Sequence, residues 1–252
     1  MLDDIARLLQ RSERILFITG AGISADSGLP TYRGFGGLYE GGDTSEGYAI
    51  EEVLSGGMLA IHPEITWKYL RQIENHCRGA EPNAAHRIIA EIEREKPGTM
   101  VLTQNIDGLH RAAGSQHLVE IHGNLHRIFC SAHCGYGADV HSYAELEPLP
   151  LCPRCAAPIR PAVVLFGERL PEEAVRQLCD GLDEGFDLVF SIGTSSLFPY
   201  IVEPVLWASY NGVPTVEINP SETRITPLVN YAFKEGAASA MEQIRECWLD
   251  LE

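Results

Sequence analysis

A repeated grammar constrains this chain more than any other feature: a short apolar run, then a small or polar cluster, then a helical pattern. Ile15-Leu16-Phe17-Ile18-Thr19 runs straight into Gly20-Ala21-Gly22-Ile23-Ser24. Residues 100–103 end in Gln104-Asn105, residues 118–121 in His122-Gly123, residues 188–192 in Gly193-Thr194-Ser195, and residues 215–218 in Asn219-Pro220. Residues 162–166 read as a further strand of the same kind. Between these runs lie helical patterns over 64–77, 84–95, 172–182 and 201–210, and Ile5, Leu8 and Leu9 share a stripe in an opening helix. Strands alternating with helices predict an α/β protein with a mostly parallel, Rossmann-like sheet covered on both faces. Ligands of such sheets sit beyond the carboxyl ends of the strands. The polar clusters fall at those ends, strand after strand, and therefore face one crevice.

Two stretches break the rhythm and read as insertions that leave the sheet and return. Residues 34–79 are glycine-rich and then helical; residues 125–160 are irregular and hold Cys130-Ser-Ala-His-Cys134 and Cys152-Pro-Arg-Cys155. Two cysteine knuckles of this spacing supply the four thiolates that a closed structural Zn²⁺ site takes. His133 adjoins Cys134 too closely to reach the same ion, so it is left out of the ligand set. With four protein ligands the metal has no open position; its role is to staple a module with little core of its own. Cys77, Cys179 and Cys247 sit in helical patterns and read as small packed hydrophobes.

The net charge of −16 argues against a nucleic-acid partner, which needs a basic face. It is compatible with a basic protein substrate. No run approaches the roughly 20 apolar residues of a membrane span, and the first residues lack the pattern of a signal peptide. A cytoplasmic protein with no membrane partner is the expectation, and the seven cysteines then read as free thiols or metal ligands.

Gly20-Ala-Gly22 after a strand suggests a phosphate cradle at a helix start. The third glycine of the dinucleotide fingerprint is displaced to Gly28. The wider text is more specific. Gly20-Ala-Gly-Ile-Ser-Ala-Asp-Ser-Gly-Leu-Pro-Thr-Tyr-Arg33-Gly, with Thr103-Gln-Asn-Ile-Asp107, His122-Gly123, Phe166-Gly-Glu168, Gly193-Thr-Ser195, Ile218-Asn219 and the four cysteines, resembles the sirtuin family of NAD-dependent protein lysine deacylases. The motifs span nearly the whole chain in the family's order.

The resemblance implies one catalytic domain over 1–252. Within it, a Rossmann-like large domain comprises 1–33, 80–122 and 162–252, and a small helical and zinc-ribbon domain comprises 34–79 and 123–161. NAD would lie between them. Gly20, Ala21, Gly22, Ser24 and Asp26 would hold the pyrophosphate side, and Tyr32 and Arg33 would reach the cofactor from a mobile loop over 31–39. Gln104 would bind the nicotinamide ribose, and Asn105, Ile106 and Asp107 would line the nicotinamide pocket. Gly193, Thr194, Ser195 and Asn219 would hold the adenosine half, and Ala237 would touch adenine. Val164, Phe166, Gly167 and Glu168 would pair with the substrate backbone as an added strand, and the four cysteines would bind zinc. Asn105 and Asp107 would assist the chemistry, and Asp107 could equally cap the helix that follows it.

His122 would be the general base. The acyl-lysine oxygen attacks C1′ as nicotinamide leaves, and a ribose hydroxyl must then lose its proton; an imidazole titrating near neutrality suits that transfer. His110 and His126, nearby in sequence, read as ordinary hydrogen-bonding residues. Family members that prefer succinyl or malonyl groups carry a Tyr and an Arg three residues apart. Here Tyr69 and Arg71 are two apart, and Leu70 and Ile73 fall in the two positions, so neutral acyl groups, acetyl first, are expected.

Three other readings compete. An ADP-ribosyltransferase or NAD glycohydrolase would share the dinucleotide motifs but not need the peptide strand at 164–168. A zinc-ribbon interaction module with a decayed nucleotide domain would not need His122, Asn105 and Asp107. A Rossmann dehydrogenase needs an acidic ribose-binding residue at a strand end; Asp43 has about the spacing but sits in a Gly/Ser-rich loop.

Overall fold

In the computed structural model, residues 1–31 and 44–251 are described. Tyr32, Arg33 and Asp43 lie outside the described residues, as does the glycine-rich start of the first insertion. In chain order the elements are α1 (Leu2–Arg11), β1 (Ile15–Thr19), a 3-10 segment (Ala21–Ser27), α2 (Ile50–Val53), α3 (Gly56–Ile61), α4 (Pro63–Cys77), α5 (Ala84–Glu95), β2 (Met100–Thr103), α6 (Leu109–Ala113), β3 (Leu118–Glu120), β4 (Gly123–Cys130), β5 (Gly137–Asp139) and β6 (Ile159–Val163). Then follow α7 (Glu172–Glu184), β7 (Leu188–Ile192), α8 (Pro199–Tyr210), β8 (Thr215–Ile218), β9 (Tyr231–Phe233) and α9 (Ala237–Leu249).

Six strands form a parallel sheet in the order β3-β2-β1-β7-β8-β9. The chain builds outward from β1 in one direction through β2 and β3, then returns to the other side of β1 with β7. The crevice of a doubly wound sheet opens where the order reverses, between β1 and β7. The central strands β1 and β7 are buried along their whole length because both faces are covered, and are apolar except at Thr19 and Ser191. Phe17 and Phe190 stack across β1 and β7 with centroids 4.8 Å apart. One face packs on α1, α5 and α9 through Leu9, Ile89, Ile92 and Ile244, and the other on α7 and α8 through Leu178, Ile201 and Val205.

The run at 162–166 does not join this sheet. It splits: β6 ends at Val163 and pairs antiparallel with β4, in a separate three-stranded sheet ordered β5-β4-β6. Gly123 makes this possible. Its φ is +81°, and a Cβ there would sit 1.9 Å from the Ala162 carbonyl oxygen. Only glycine lets the chain turn from β3 into β4 while the returning strand passes so closely.

The small sheet shares one core with the helical insertion. Trp67, Tyr69, Leu70 and Ile73 of α4 pack with Leu125, Ile128, Tyr143 and Ile159. Trp67 is fully buried, and its indole N–H donates to the Ile159 carbonyl at 2.8 Å, so its one polar atom does not oppose burial. No helix among the described residues is long and apolar enough to cross a membrane.

Candidate active site

The strand ends meet as the alternation of runs and clusters implies. Two glycine loops interlock: the Gly22 N–H donates to the Gly193 carbonyl at 2.8 Å, and a Cβ on Gly193 would come within 2.3 Å of the Ile23 nitrogen. The two loop backbones are in direct contact, and neither glycine has room for a side chain. The segment after Gly20 is a 3-10 helix over Ala21–Ser27 rather than the expected α-helix, closed by Gly28 in the left-handed region. Ser24 is buried beside these loops.

From β2, Gln104 donates to Thr194 Oγ1 at 2.8 Å, and Asn219, after β8, donates to the Thr194 carbonyl at 2.9 Å. The ends of β2, β7 and β8 are thereby tied together. Asn105 is buried and donates to Ser24 Oγ and to the Gly20 carbonyl, both at 3.1 Å. Ser24 in turn donates to Asp107 Oδ2 at 2.8 Å, while Asp107 Oδ1 accepts from the Leu109 N–H at 2.9 Å. Asp107, just ahead of the N-cap Gly108, thus holds the first N–H of α6 and also lines the recess described next. Burial pushes its carboxyl up from the ordinary range despite these hydrogen bonds.

Asn105, Ile106 and Asp107 line a narrow recess, together with Ala21, Ser24, Leu29, Pro30 and Ile73. His76 and Cys77 complete its wall, and neither was expected there. Both follow Ile73 on α4 at the i+3 and i+4 positions, so a helical reading from Ile73 finds them. Burial and nearby carboxylates push the Cys77 thiol up to about 12, which keeps it neutral.

His122 stands at the end of β3. Its carbonyl accepts from Val164 N–H at 2.8 Å. Its Nδ1 lies 3.0 Å from the Gln104 carbonyl. A carbonyl can only accept, so Nδ1 carries the ring proton and Nε2 is left as the basic lone pair. Burial pulls the imidazole down from its ordinary value, opposed in part by the Gln104 carbonyl.

Other assigned residues find different partners. Asp26 accepts from the Ala238 N–H at 3.0 Å, so its carboxylate holds the first turn of α9. Ala237 is 3% exposed and packs in the core. Ser195 is exposed. Glu168 forms a bidentate pair with Arg160 at 2.5 and 2.8 Å and accepts from Leu165 N–H, which ties its carboxylate down. Phe166 exchanges backbone bonds with Leu54 and Gly56; the Gly167 backbone has no partner among the described residues. Arg71 donates to the carbonyls of Tyr143, Leu146 and Glu147, and the Tyr69 hydroxyl meets Glu46. Neither borders the recess, whereas Ile73 does.

His110 and His126 are structural, as expected. His126 bridges the Val140 and Asp107 carbonyls. His110 lies beneath the site at 3.0 Å from Thr19 Oγ1 and packs edge-on against His86. Burial drives the imidazoles of both His86 and His110 down, that of His86 to about 4. As pH falls below 6.5 the unfolded chain protonates first, so stability is full above 6.5 and is lost as pH approaches 4. For His86 the difference amounts to about 3 kcal/mol. NMR of the histidine rings should find His86 still neutral at pH 5; a midpoint near 6.5 would contradict this packing.

The four cysteine sulfurs lie within 4.8 Å of one another, with Cys130–Cys155 at 3.4 Å and Cys134–Cys152 at 3.5 Å. These separations exceed a disulfide bond of about 2.05 Å. They approach the edge of roughly 3.8 Å that a tetrahedron with Zn–S bonds near 2.3 Å requires. The donor set fits a structural zinc, and His133 is not part of it.

A parallel sheet with interlocked glycine loops at its reversal point, a buried polar recess and a fixed imidazole is the arrangement of a dinucleotide-using enzyme of the α/β class. The comparisons narrow the class. Residues 20–199 match the Sir2 family model. The chain is 49% identical over 245 residues to a Pseudomonas aeruginosa protein named NAD-dependent protein deacylase 2, covering 95% of this chain and 94% of that one. It is 38% identical to a Thermococcus sibiricus NAD-dependent protein deacylase, covering 97% and 95%. Among solved structures, a Sir2 homolog–NAD complex superposes with a TM-score of 0.88 at 33% identity, over 99% of this chain and 95% of that one. A complex titled Sir2-p53 peptide-NAD+ gives 0.83 at 30% identity, with 98% of each chain covered. The chain belongs to the Sir2 family.

Proposed function

We propose that the protein is an NAD-dependent protein lysine deacylase acting on acylated lysine side chains of proteins, with His122 as general base. The observation that carries this is the placement of His122. Its single lone pair is fixed by the Gln104 carbonyl at the end of β3, with Gln104 joining it directly to Asn105 and the recess.

Bound NAD supplies a glycosidic carbon that becomes electrophilic as nicotinamide departs. The residues of this chain do the rest. The backbone of Gly20, Ala21 and Gly22 and the loop of Gly193, Thr194 and Ser195 form the cradle for the phosphates and adenosine, with Asn219 bracing it. Asn105, Ile106 and Asp107 shape the nicotinamide recess and exclude water from it. His122 accepts a proton at Nε2; its lowered basicity keeps the ring neutral, and ready to accept, at physiological pH. The strand of Val164, Phe166, Gly167 and Glu168 receives the substrate backbone. The Gly167 N–H and C=O, which have no partner among the described residues, are open to it, and its Glu168 side chain serves the strand's own shape. The four cysteines hold zinc as a staple. The separate core beneath the zinc knuckles and α4 supports a division into a large domain (1–33, 80–122, 162–252) and a small one (34–79, 123–161). A cytoplasmic location is part of the same reading.

Among acyl groups, neutral ones suit this site. Ile73 is apolar where it borders the recess, and Arg71 and Tyr69 are engaged elsewhere, so among the described residues no lysine or arginine borders it to meet an acyl carboxylate. A panel of acyl-lysine peptides with and without NAD, read by mass spectrometry, tests the proposal. Acetyl-lysine should be consumed faster than succinyl-lysine, only with NAD, with O-acetyl-ADP-ribose formed. Faster desuccinylation would overturn the acyl assignment. Free ADP-ribose or labelled protein as the main product would favour the glycohydrolase or ADP-ribosyltransferase alternative.

A further inference from the structure

The imidazole of His122 is held on both edges, and the second edge is unaccounted for by the roles above. Its Nε2 lies 2.7 Å from the hydroxyl of Tyr200. With Nδ1 donating to Gln104, Nε2 has a lone pair and no proton, so the Tyr200 O–H is the donor. Burial pushes the phenol up to about 12, so it keeps its proton at physiological pH.

Tyr200 is rigidly placed. It is the second residue of α8, directly after Pro199, whose ring pre-sets the backbone for the first helical turn. Its ring stacks on Phe198 with centroids 5.4 Å apart and planes 11° from parallel. Both rings meet the imidazole edge-on at 5.8 Å. The base is therefore clamped between a backbone carbonyl and a wedged aromatic pair.

This arrangement has a valence consequence. A neutral imidazole has one lone pair, and while the phenol occupies it no second hydroxyl can donate there. The phenol oxygen, in contrast, can still accept. The geometry points to Tyr200 as a positioning and proton-relay residue for His122: a hydroxyl in the cleft gives its proton to the phenol oxygen while the phenol proton passes to Nε2. One O–H bond breaks in the cleft and one forms at Tyr200; the original Tyr200 O–H breaks and an N–H forms at Nε2. The phenol ends neutral, the imidazole ends as the cation, and the cleft oxygen is left as the anion, ready to attack. No oxidant or further reactant is needed. The inference rests on the reading of His122 as the base.

Tyr200→Phe tests it, because the variant keeps the stack on Phe198 and removes only the hydroxyl. In the free enzyme, without NAD, the ¹⁵N resonance of His122 Nε2 should move toward that of an unbonded imidazole nitrogen. Turnover of acetyl-lysine peptide should fall at least about tenfold and at most by the roughly 10²–10⁴-fold that the positioned base itself contributes, with KM for NAD changed less than about twofold. Nicotinamide exchange, which precedes the proton transfer, should persist. An unmoved resonance would overturn the clamp. Turnover at or above the wild-type rate would show the phenol to be a displaceable cover and overturn the relay. His122→Ala, run alongside, separates the two readings. If His122→Ala stalls and Tyr200→Phe does not, only the relay fails; if His122→Ala turns over normally, the assignment of the base itself fails.

Discussion

Replacing His122 with alanine should lower deacylation by about 10²–10⁴-fold, the range general-base catalysis supplies, and leave the fold and the metal intact. The ring makes only two hydrogen bonds, to Gln104 and Tyr200, and is half-buried at the cleft edge. The bond that carries structure is the backbone one, from Val164 N–H to the His122 carbonyl, and substitution does not remove it. Losing two side-chain hydrogen bonds costs about 1–3 kcal/mol, less than the stability of an ordinary domain. Activity and stability should therefore separate: melting temperature and zinc content close to wild type, product formation lost. Rates of O-acetyl-ADP-ribose formation beside a thermal melt provide the check. Normal turnover would remove His122 from the chemistry.

Cys152→Ser should have the opposite signature. Serine cannot supply the fourth thiolate, and structural zinc sites contribute folding free energy on the order of 10 kcal/mol. The turns around the sulfurs are not comfortable on their own: His133 and Ala156 hold φ at 52° and 60° without being glycine, a conformation that costs roughly 1–2 kcal/mol each. Cys130 and Cys152 are also members of the core that contains Trp67, Leu70 and Ile73. Failure at the knuckles thus propagates into α4 and the wall of the recess. The variant should bind less than one zinc per chain, lose soluble yield and melt well below the wild type. One zinc per chain with an unchanged melting temperature would contradict the staple role.

The main sheet was legible because its strands are buried on both faces. Residues 15–18 and 188–190 read as unbroken apolar runs, ended by Thr19 and Ser191, as a strand covered on both faces does. The polar clusters after the strands were legible for the same reason, since a chain leaving a covered sheet turns at its edge. The run at 162–166 misled because an apolar run does not say which sheet covers it. Its pairing with β4 depends on Gly123, a residue about 40 positions away in sequence. The carboxylates of Asp26 and Glu168 also hold α9 and Arg160, partners that the sequence alone does not name. A charge beside a motif has no direction until its partners are placed. His76 and Cys77 could have been found from helical spacing alone. Tyr200 could not, because its meeting with His122 brings together the start of α8 and the end of β3, which only the folded sheet makes neighbours.

The central claim is that one crevice, at the reversal of the sheet, holds NAD with its nicotinamide ribose before His122. A structure of the complex with NAD and an acetyl-lysine peptide tests it most directly. The account predicts the dinucleotide across the loops at Gly22 and Gly193, the nicotinamide end in the recess beside Asn105 and Asp107, and the ribose facing the His122 edge that carries Nε2 and the Tyr200 hydroxyl bonded to it. A dinucleotide bound elsewhere, or an imidazole turned away from the sugar, would contradict it.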